Sequence, residues 1–239
     1  MIDRAHDPMG AAIADFHRAG RPCGRLRVFS PDFDEDEIPV ATLFRTPEEM
    51  PALEQQALRM ARGRVLDVGA GAGCHALALQ KQGLATVAID ISPLSVATMR
   101  QRGVCDAREQ DFWRVRERFD TVLMLMNGIG IVGKLSELPR FFEHLRQILS
   151  EGGQVLIDSS DIRYVFEAED GSLLLPPGSG YYGELEYQMQ YKRVRGATFP
   201  WLYIDFATLE AQASACGIRA ELLAEGDHYD YLARLTVAH

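Results

Sequence analysis

The segment Asp67-Val68-Gly69-Ala70-Gly71-Ala72-Gly73 lies between a short apolar run, Val65–Val68, and a helix-forming stretch that begins at Cys74. Glycines spaced this way let the backbone turn tightly and approach a ligand closely. A dinucleotide fingerprint has the spacing G-x-G-x-x-G. Counted from Gly69 and Gly71, its third glycine would fall on Cys74, whereas the actual third glycine, Gly73, comes one residue early. No G-x-x-x-x-G-K-S/T is present, which excludes a P-loop. Asp90 ends the next apolar run, 17 residues past Gly73. A carboxylate at that place can accept both hydroxyls of a ribose diol. Together these residues point to an adenosine-bearing ligand.

The elements that must position them alternate between strand and helix. Short apolar runs at 65–68, 85–89, 119–126 and 154–158, with a weaker one at 104–109, predict strands. Helical patterns occupy 74–82, a stretch opening at Ser92-Pro93, and 138–149, where Gly152-Gly153 is the expected stop. Largely apolar strands separated by helices mean a parallel sheet covered on both faces. Residues 205–216 read as a further helix, and 218–225 with 229–237 as a final hairpin. Ahead of this core, residues 1–62 read as an N-terminal helical or lid segment. Pro8 starts a first helix, 25–30 forms a short strand, and 30–39 is an acidic loop. Thr46, Pro47 and Glu49 then open a helix reaching about residue 62. Residues 63–239 form the ligand-binding domain, interrupted by an insertion at 160–204. In that insertion 183–192 alternates, with Leu185, Tyr187, Met189 and Tyr191 on one side, and predicts an antiparallel strand.

Residues 64–162 resemble the core of the class I S-adenosylmethionine (SAM)-dependent methyltransferases. The run Val65 to Gly73 fits that family's glycine motif, Asp90 its acidic strand end, Asp111 in Gln110-Asp111-Phe112 its third acid, and Phe119-Asp120-Thr121-Val122-Leu123 its fourth motif. The resemblance implies an α/β, Rossmann-like, seven-stranded, mostly parallel sheet with an antiparallel last strand. It implies SAM as cofactor, bound by Asp67, Gly69, Ala70, Gly71, Gly73, Asp90, Ile91, Asp111, Phe112, Met126 and Asn127. Asp90 would hold the ribose, and Asp111 with the backbone N–H of Phe112 the adenine. Asn127-Gly128-Ile129-Gly130 borders the methyl group in the family. The missing Pro-Pro-aromatic after Asn127 counts against amino-methylation of DNA, and the turn resembles that of small-molecule methyltransferases. Asn127 either takes part in transfer or only shapes the turn. His75 and Asp161 are further catalytic candidates, and Tyr181 and Tyr182 candidate substrate contacts. The reaction expected is methyl transfer to a small-molecule acceptor by in-line displacement. The alternatives are a SAM-binding regulatory protein or inactive homologue and, less in keeping with the glycine spacing and Asp67, an NAD-dependent oxidoreductase.

Charge and cysteine usage narrow the partners. The 239 residues carry a net charge of −9, which opposes phosphate backbones, so no nucleic-acid partner is expected. The four cysteines, Cys23, Cys74, Cys105 and Cys216, show no metal-ligand spacing, and no metal site is expected. Scattered cysteines, the absence of a signal-like N-terminus and the lack of a long apolar run predict a cytoplasmic protein without membrane attachment.

Overall fold

A computed structural model describes residues 2–167 and 180–237. Residues 168–179 of the expected insertion lie outside the described residues. The chain first forms α1 (Pro8–Ala19), β1 (Leu26–Phe29), β2 (Asp36–Ile38) and α2 (Ala52–Met60). The alternating core follows: β3 (Val65–Val68), α3 (Cys74–Lys81), β4 (Thr86–Asp90), α4 (Pro93–Arg102), β5 (Ala107–Glu109), β6 (Phe119–Met124), α5 (Leu138–Ile148) and β7 (Leu149–Ser160). Then come β8 (Glu184–Tyr191), β9 (Val194–Arg195), β10 (Phe199–Leu202), α6 (Phe206–Ala215), β11 (Ile218–Glu225) and β12 (Asp230–Val237).

The main sheet has seven strands in the order β11-β12-β7-β6-β3-β4-β5. Strands β3 to β7 are parallel, and β12 runs antiparallel to both β7 and β11. This is the doubly wound sheet expected, with its antiparallel last strand. Neighbouring residues of β3 face opposite sides, so each strand feeds two cores. Leu66 and Val68 pack with Phe141, Phe142, Leu145 and Ile148 of α5 and Leu209 of α6. Val65 packs with Leu53 and Leu58 of α2 and Ala78 and Leu79 of α3. Burying these side chains on both faces is what makes the strands read as continuous apolar runs.

A second sheet lies outside this frame, in the order β10-β8-β1-β2, with β9 also paired to β8. It joins the N-terminal segment to the insertion: Leu26 stands opposite Tyr191 and Phe29 opposite Gln188. Its side chains Leu26 and Tyr191 share a buried cluster with Ile13 of α1, Leu43 and Ala72 of the glycine segment.

Three local expectations are corrected. The acidic stretch 30–39 is not all loop, because Asp36–Ile38 pairs with β1 and Arg25 and Arg27 answer the charges of Glu37 and Glu35. The helix expected from Thr46 is split into a 3-10 turn, Pro47–Glu49, and α2. Met50 must stay extended ahead of Pro51 (φ −74°, ψ 148°), and that breaks the helix. The capping contact survives, with the Thr46 N–H donating to Glu49 Oε2 at 2.8 Å. Gly152 and Gly153 do not end α5. Leu149 already pairs with Phe119, and the glycines form a kink inside β7, where a Cβ on Gly153 would lie 2.9 Å from the Ser150 carbonyl oxygen.

Candidate functional site

The carboxyl ends of β3, β4, β6 and β7 meet along one edge, where an open α/β sheet offers its ligand crevice. The loop from β3 to α3 is held in shape by backbone conformation. Gly69, Gly71 and Gly73 have φ of +67°, +56° and +81°. A side chain at Gly73 would also collide with Val104 and Met99, at 2.8 and 3.0 Å, so that glycine lets α3 pack on its neighbours. The Gly71 N–H donates to Asp90 Oδ2 at 2.9 Å, and the Ser92 N–H to Asp90 Oδ1 at 2.8 Å. Asp90 therefore braces the glycine loop and the start of α4 together. Burial pushes its carboxyl up to about 6, against the pull of those two N–H groups. An ionised carboxylate accepts about four hydrogen bonds, so two acceptor positions stay open for a diol.

Asp111 lies beyond β5, next in the sheet to β4. Its Oδ1 accepts the Trp113 N–H at 2.9 Å. The Phe112 ring is buried against Phe141 and His144, and its carbonyl is bonded to His144 Nε2 at 2.9 Å. Only its backbone N–H is left to meet a ligand. Ile91, after Asp90, is 43 % exposed and presents an apolar surface at the same edge.

At the end of β6 the chain makes a strained turn. Met126 and Asn127 have φ of +62° and +57°, a conformation that costs a non-glycine residue about 1–2 kcal/mol. Asp158, on the neighbouring β7, holds that turn. It accepts the N–H groups of Met126, Asn127 and Gly128 at 2.9, 2.7 and 3.3 Å. Burial pushes its carboxyl up to about 7 even so. The Asn127 amide is engaged at both ends: Nδ2 donates to the Leu202 carbonyl at 3.1 Å, and Oδ1 accepts from Ser159 Oγ at 2.8 Å. This geometry supports the turn-shaping alternative for Asn127.

A buried ionic group underlies the other side. Asp67 is 2 % exposed, and burial pushes its carboxyl up to about 6. His75, at the start of α3, places Nε2 2.8 Å from Glu54 Oε2. Glu54 also accepts two bonds from Arg45, at 2.8 and 2.9 Å. Burial lowers the His75 pKa, but Glu54 and Asp67 outweigh it and the net shift is upward. His75 is buried, with Nε2 held by Glu54, and so is positioned as part of this network.

Tyrosines and acids gather above β7. Tyr182 donates to Asp161 Oδ1 at 2.8 Å, and Tyr181 to Asp205 Oδ2 at 2.6 Å. Tyr164 stacks on Tyr229 with centroids 4.9 Å apart. Burial holds the Tyr181 and Tyr182 phenols well above their ordinary range, so they serve as donors. The structure thus brings Asp67, Gly69, Gly71, Asp90 and Met126 to one edge, with Asp161, Tyr181 and Tyr182 beside the end of β7. Asp158, Glu54 and Arg45 escaped the sequence reading. Asp158 alone carried a signal, since it closes an apolar run of the sequence just as Asp90 does.

A profile for the methyltransferase domain matches residues 38–213. A SAM-dependent methyltransferase from Bacteroides fragilis, solved in complex with S-adenosyl-L-homocysteine, is 56 % identical, with a TM-score of 0.94 over 100 % of this chain and 98 % of that one. A SAM-dependent methyltransferase from Clostridium acetobutylicum is 12 % identical, with a TM-score of 0.54 over 77 % of this chain and 87 % of that one. A sugar N-methyltransferase from a Streptoalloteichus species is 17 % identical, with a TM-score of 0.57 over 87 % and 96 %. At those lower identities the likeness is one of fold. No curated protein matches the chain.

Proposed function

The chain belongs to the SAM-dependent methyltransferases, and from that premise we propose that it methylates a small molecule held between the sheet edge and the β10-β8-β1-β2 sheet. SAM is the cofactor. The observation that carries the small-molecule reading is the second sheet itself. The main sheet supplies the cofactor edge, so acceptor choice falls to what is added, and both additions are tied into one layer beside it. The net charge of −9 adds to the case against a nucleic-acid acceptor. No helix among the described residues is long and apolar enough to cross a membrane.

In this reading Asp90 and Ile91 meet the ribose, and Asp111 and the Phe112 N–H the adenine. Gly69, Ala70, Gly71 and Gly73 let the backbone approach the methionyl end, near Asp67. Met126 and Asn127 border the transferred group. The bound sulfonium supplies an activated methyl, so the protein's tasks are alignment and water exclusion. In the same reading Asp161 takes the proton from an acceptor that must lose one, and the hydrogen bond from Tyr182 supports its orientation.

Methyl-labelled SAM incubated with the protein and a cell extract tests the proposal. Label is expected in low-molecular-weight material that survives protease and nuclease. Label confined to protein or nucleic acid overturns it.

Affinity for S-adenosylhomocysteine is also expected to depend on pH. Asp90 is raised to about 6, so it loses its charge as pH falls through that value, and its grip on a diol goes with it. Calorimetric titration should give a constant Kd above about pH 7 and weakening of up to about tenfold per pH unit below about 6. Asp90→Asn should flatten the part of the profile due to this residue. A Kd unchanged between pH 5 and 8 would contradict the assignment.

A further inference from the structure

Arg45 follows the 3-10 turn Val40–Phe44 in the N-terminal segment, outside the seven-stranded core. Leu43, two residues earlier, comes within 3.9 Å of where a Cβ on Gly71 would stand, so this stretch lies directly over the glycine loop. The Arg45 guanidinium reaches toward the end of β6, with one terminal nitrogen 3.7 Å from Met126 Sδ. That same nitrogen makes both bonds to Glu54. Its side chain is only 16 % exposed, and Nε is buried without a hydrogen-bond partner among the described residues.

A buried guanidinium N–H left unpaired is unfavourable, and a carboxylate is its natural complement. Glu54 cannot fill that role completely, because its two oxygens are shared between Arg45 and the His75 imidazole. Charge around the guanidinium is therefore short of one acceptor. Asp67 Oδ2, in the same buried group, also has no partner among the described residues. A ligand with a carboxylate and an ammonium on one carbon would suit an unpaired donor and an unpaired carboxylate oxygen together.

We propose that Arg45 binds the α-carboxylate of the methionyl end of SAM, and that Glu54 and His75 are positioning residues that aim it. The proposal rests on the cofactor assignment and goes beyond it. It makes the N-terminal segment part of the cofactor site as well as of the acceptor side.

The test compares SAM with decarboxylated SAM, which keeps the adenosine, sulfonium and ammonium and lacks only the carboxylate. Wild-type protein should prefer SAM. Arg45→Met should weaken SAM binding roughly 10- to 100-fold, the range for a charge-assisted bond, and leave decarboxylated SAM within about twofold. Arg45→Lys keeps a cation without Nε and should lose SAM affinity selectively but less. It also serves as the reading if Arg45→Met does not fold. Glu54→Gln should narrow the preference for SAM without affecting the decarboxylated ligand. Equal weakening of both ligands in the Arg45 variants, or none, overturns the proposal and leaves Arg45 a staple of the N-terminal segment. Failure of the wild-type protein to bind either ligand would instead strike at the cofactor site as a whole.

Discussion

Asp90→Ala is expected to weaken S-adenosylhomocysteine binding roughly 10²- to 10⁴-fold at pH 8, and Asp111→Ala only about tenfold. The difference follows from how many charged bonds each carboxylate has to offer. Asp90 retains two open acceptor positions after accepting Gly71 and Ser92, and at pH 8 it is ionised despite a pKa near 6. Two charge-assisted bonds of about 1.5–3 kcal/mol each give the larger range. Removing the carboxylate also frees the Gly71 N–H, so the glycine loop loses one of its ties to β4 and keeps the bond from the Ala70 N–H to the Ile89 carbonyl. Asp111 braces only a single turn through Trp113, and the one bond proposed for it, to an adenine amino group, is partly replaceable by water. Titration calorimetry on both variants, with thermal melts to confirm folding, decides the matter. Small and similar losses would mean that the adenosine is held by other residues.

The second large effect concerns stability. Asp158→Ala should lower Tm by roughly 6–12 °C, equivalent to about 3 kcal/mol for a chain of this size. It removes the acceptor of three backbone N–H groups at a turn whose two leading residues are already in the left-handed region. Adding Met126→Gly to that variant should recover about 1 kcal/mol, because the Met126 side chain is exposed and glycine adopts φ near +62° without the Cβ penalty. The wild-type carboxyl also sets a pH trend. Its pKa is raised to about 7, so between about pH 4 and 7 the folded protein holds a proton that the unfolded chain has lost. Its contribution to stability is fully present below about pH 4 and declines as pH rises through 7. Asp158→Ala should remove that decline. A Tm within about 2 °C of wild type would show that the turn holds itself.

The sequence was most readable where one physical rule acts alone. Periodicity located β3, β4, β6 and α5 because their burial comes from regular faces. The glycine spacing and Asp90 were legible because a tight backbone turn and a strand end are local matters. The failures arose where two rules compete or where partners are remote. Pro51 overrode a good helix start at Thr46. The acidic stretch around β2 lies against Arg25 and Arg27, just before and within β1, which offset the charges of Glu37 and Glu35 across the pairing. Glu54 looked like an ordinary residue on a helix face, and its role comes from Arg45 on one side and His75, 21 residues ahead, on the other. His75 and Asn127 invite catalytic readings as isolated polar residues, yet the bonds that occupy them come from Glu54, Ser159 and Leu202.

If the second sheet chooses the acceptor as proposed, strand β8 has a consequence for how such a protein acquires a new one. It is paired along one side to β1 and along the other to β10, so the layer beside the active edge is encoded in stretches separated by most of the gene. A chimera that exchanged only the early stretch would leave β8 with an open, partly apolar edge, and such edges template pairing between chains. Exchange of one contiguous cassette is therefore expected to disturb this layer. Substitutions matched across strand partners such as Leu26 with Tyr191 and Val28 with Met189 remain as the open route. A library meant to redirect this enzyme is best diversified at residues 26–38 and 184–202 together, with paired positions varied as units.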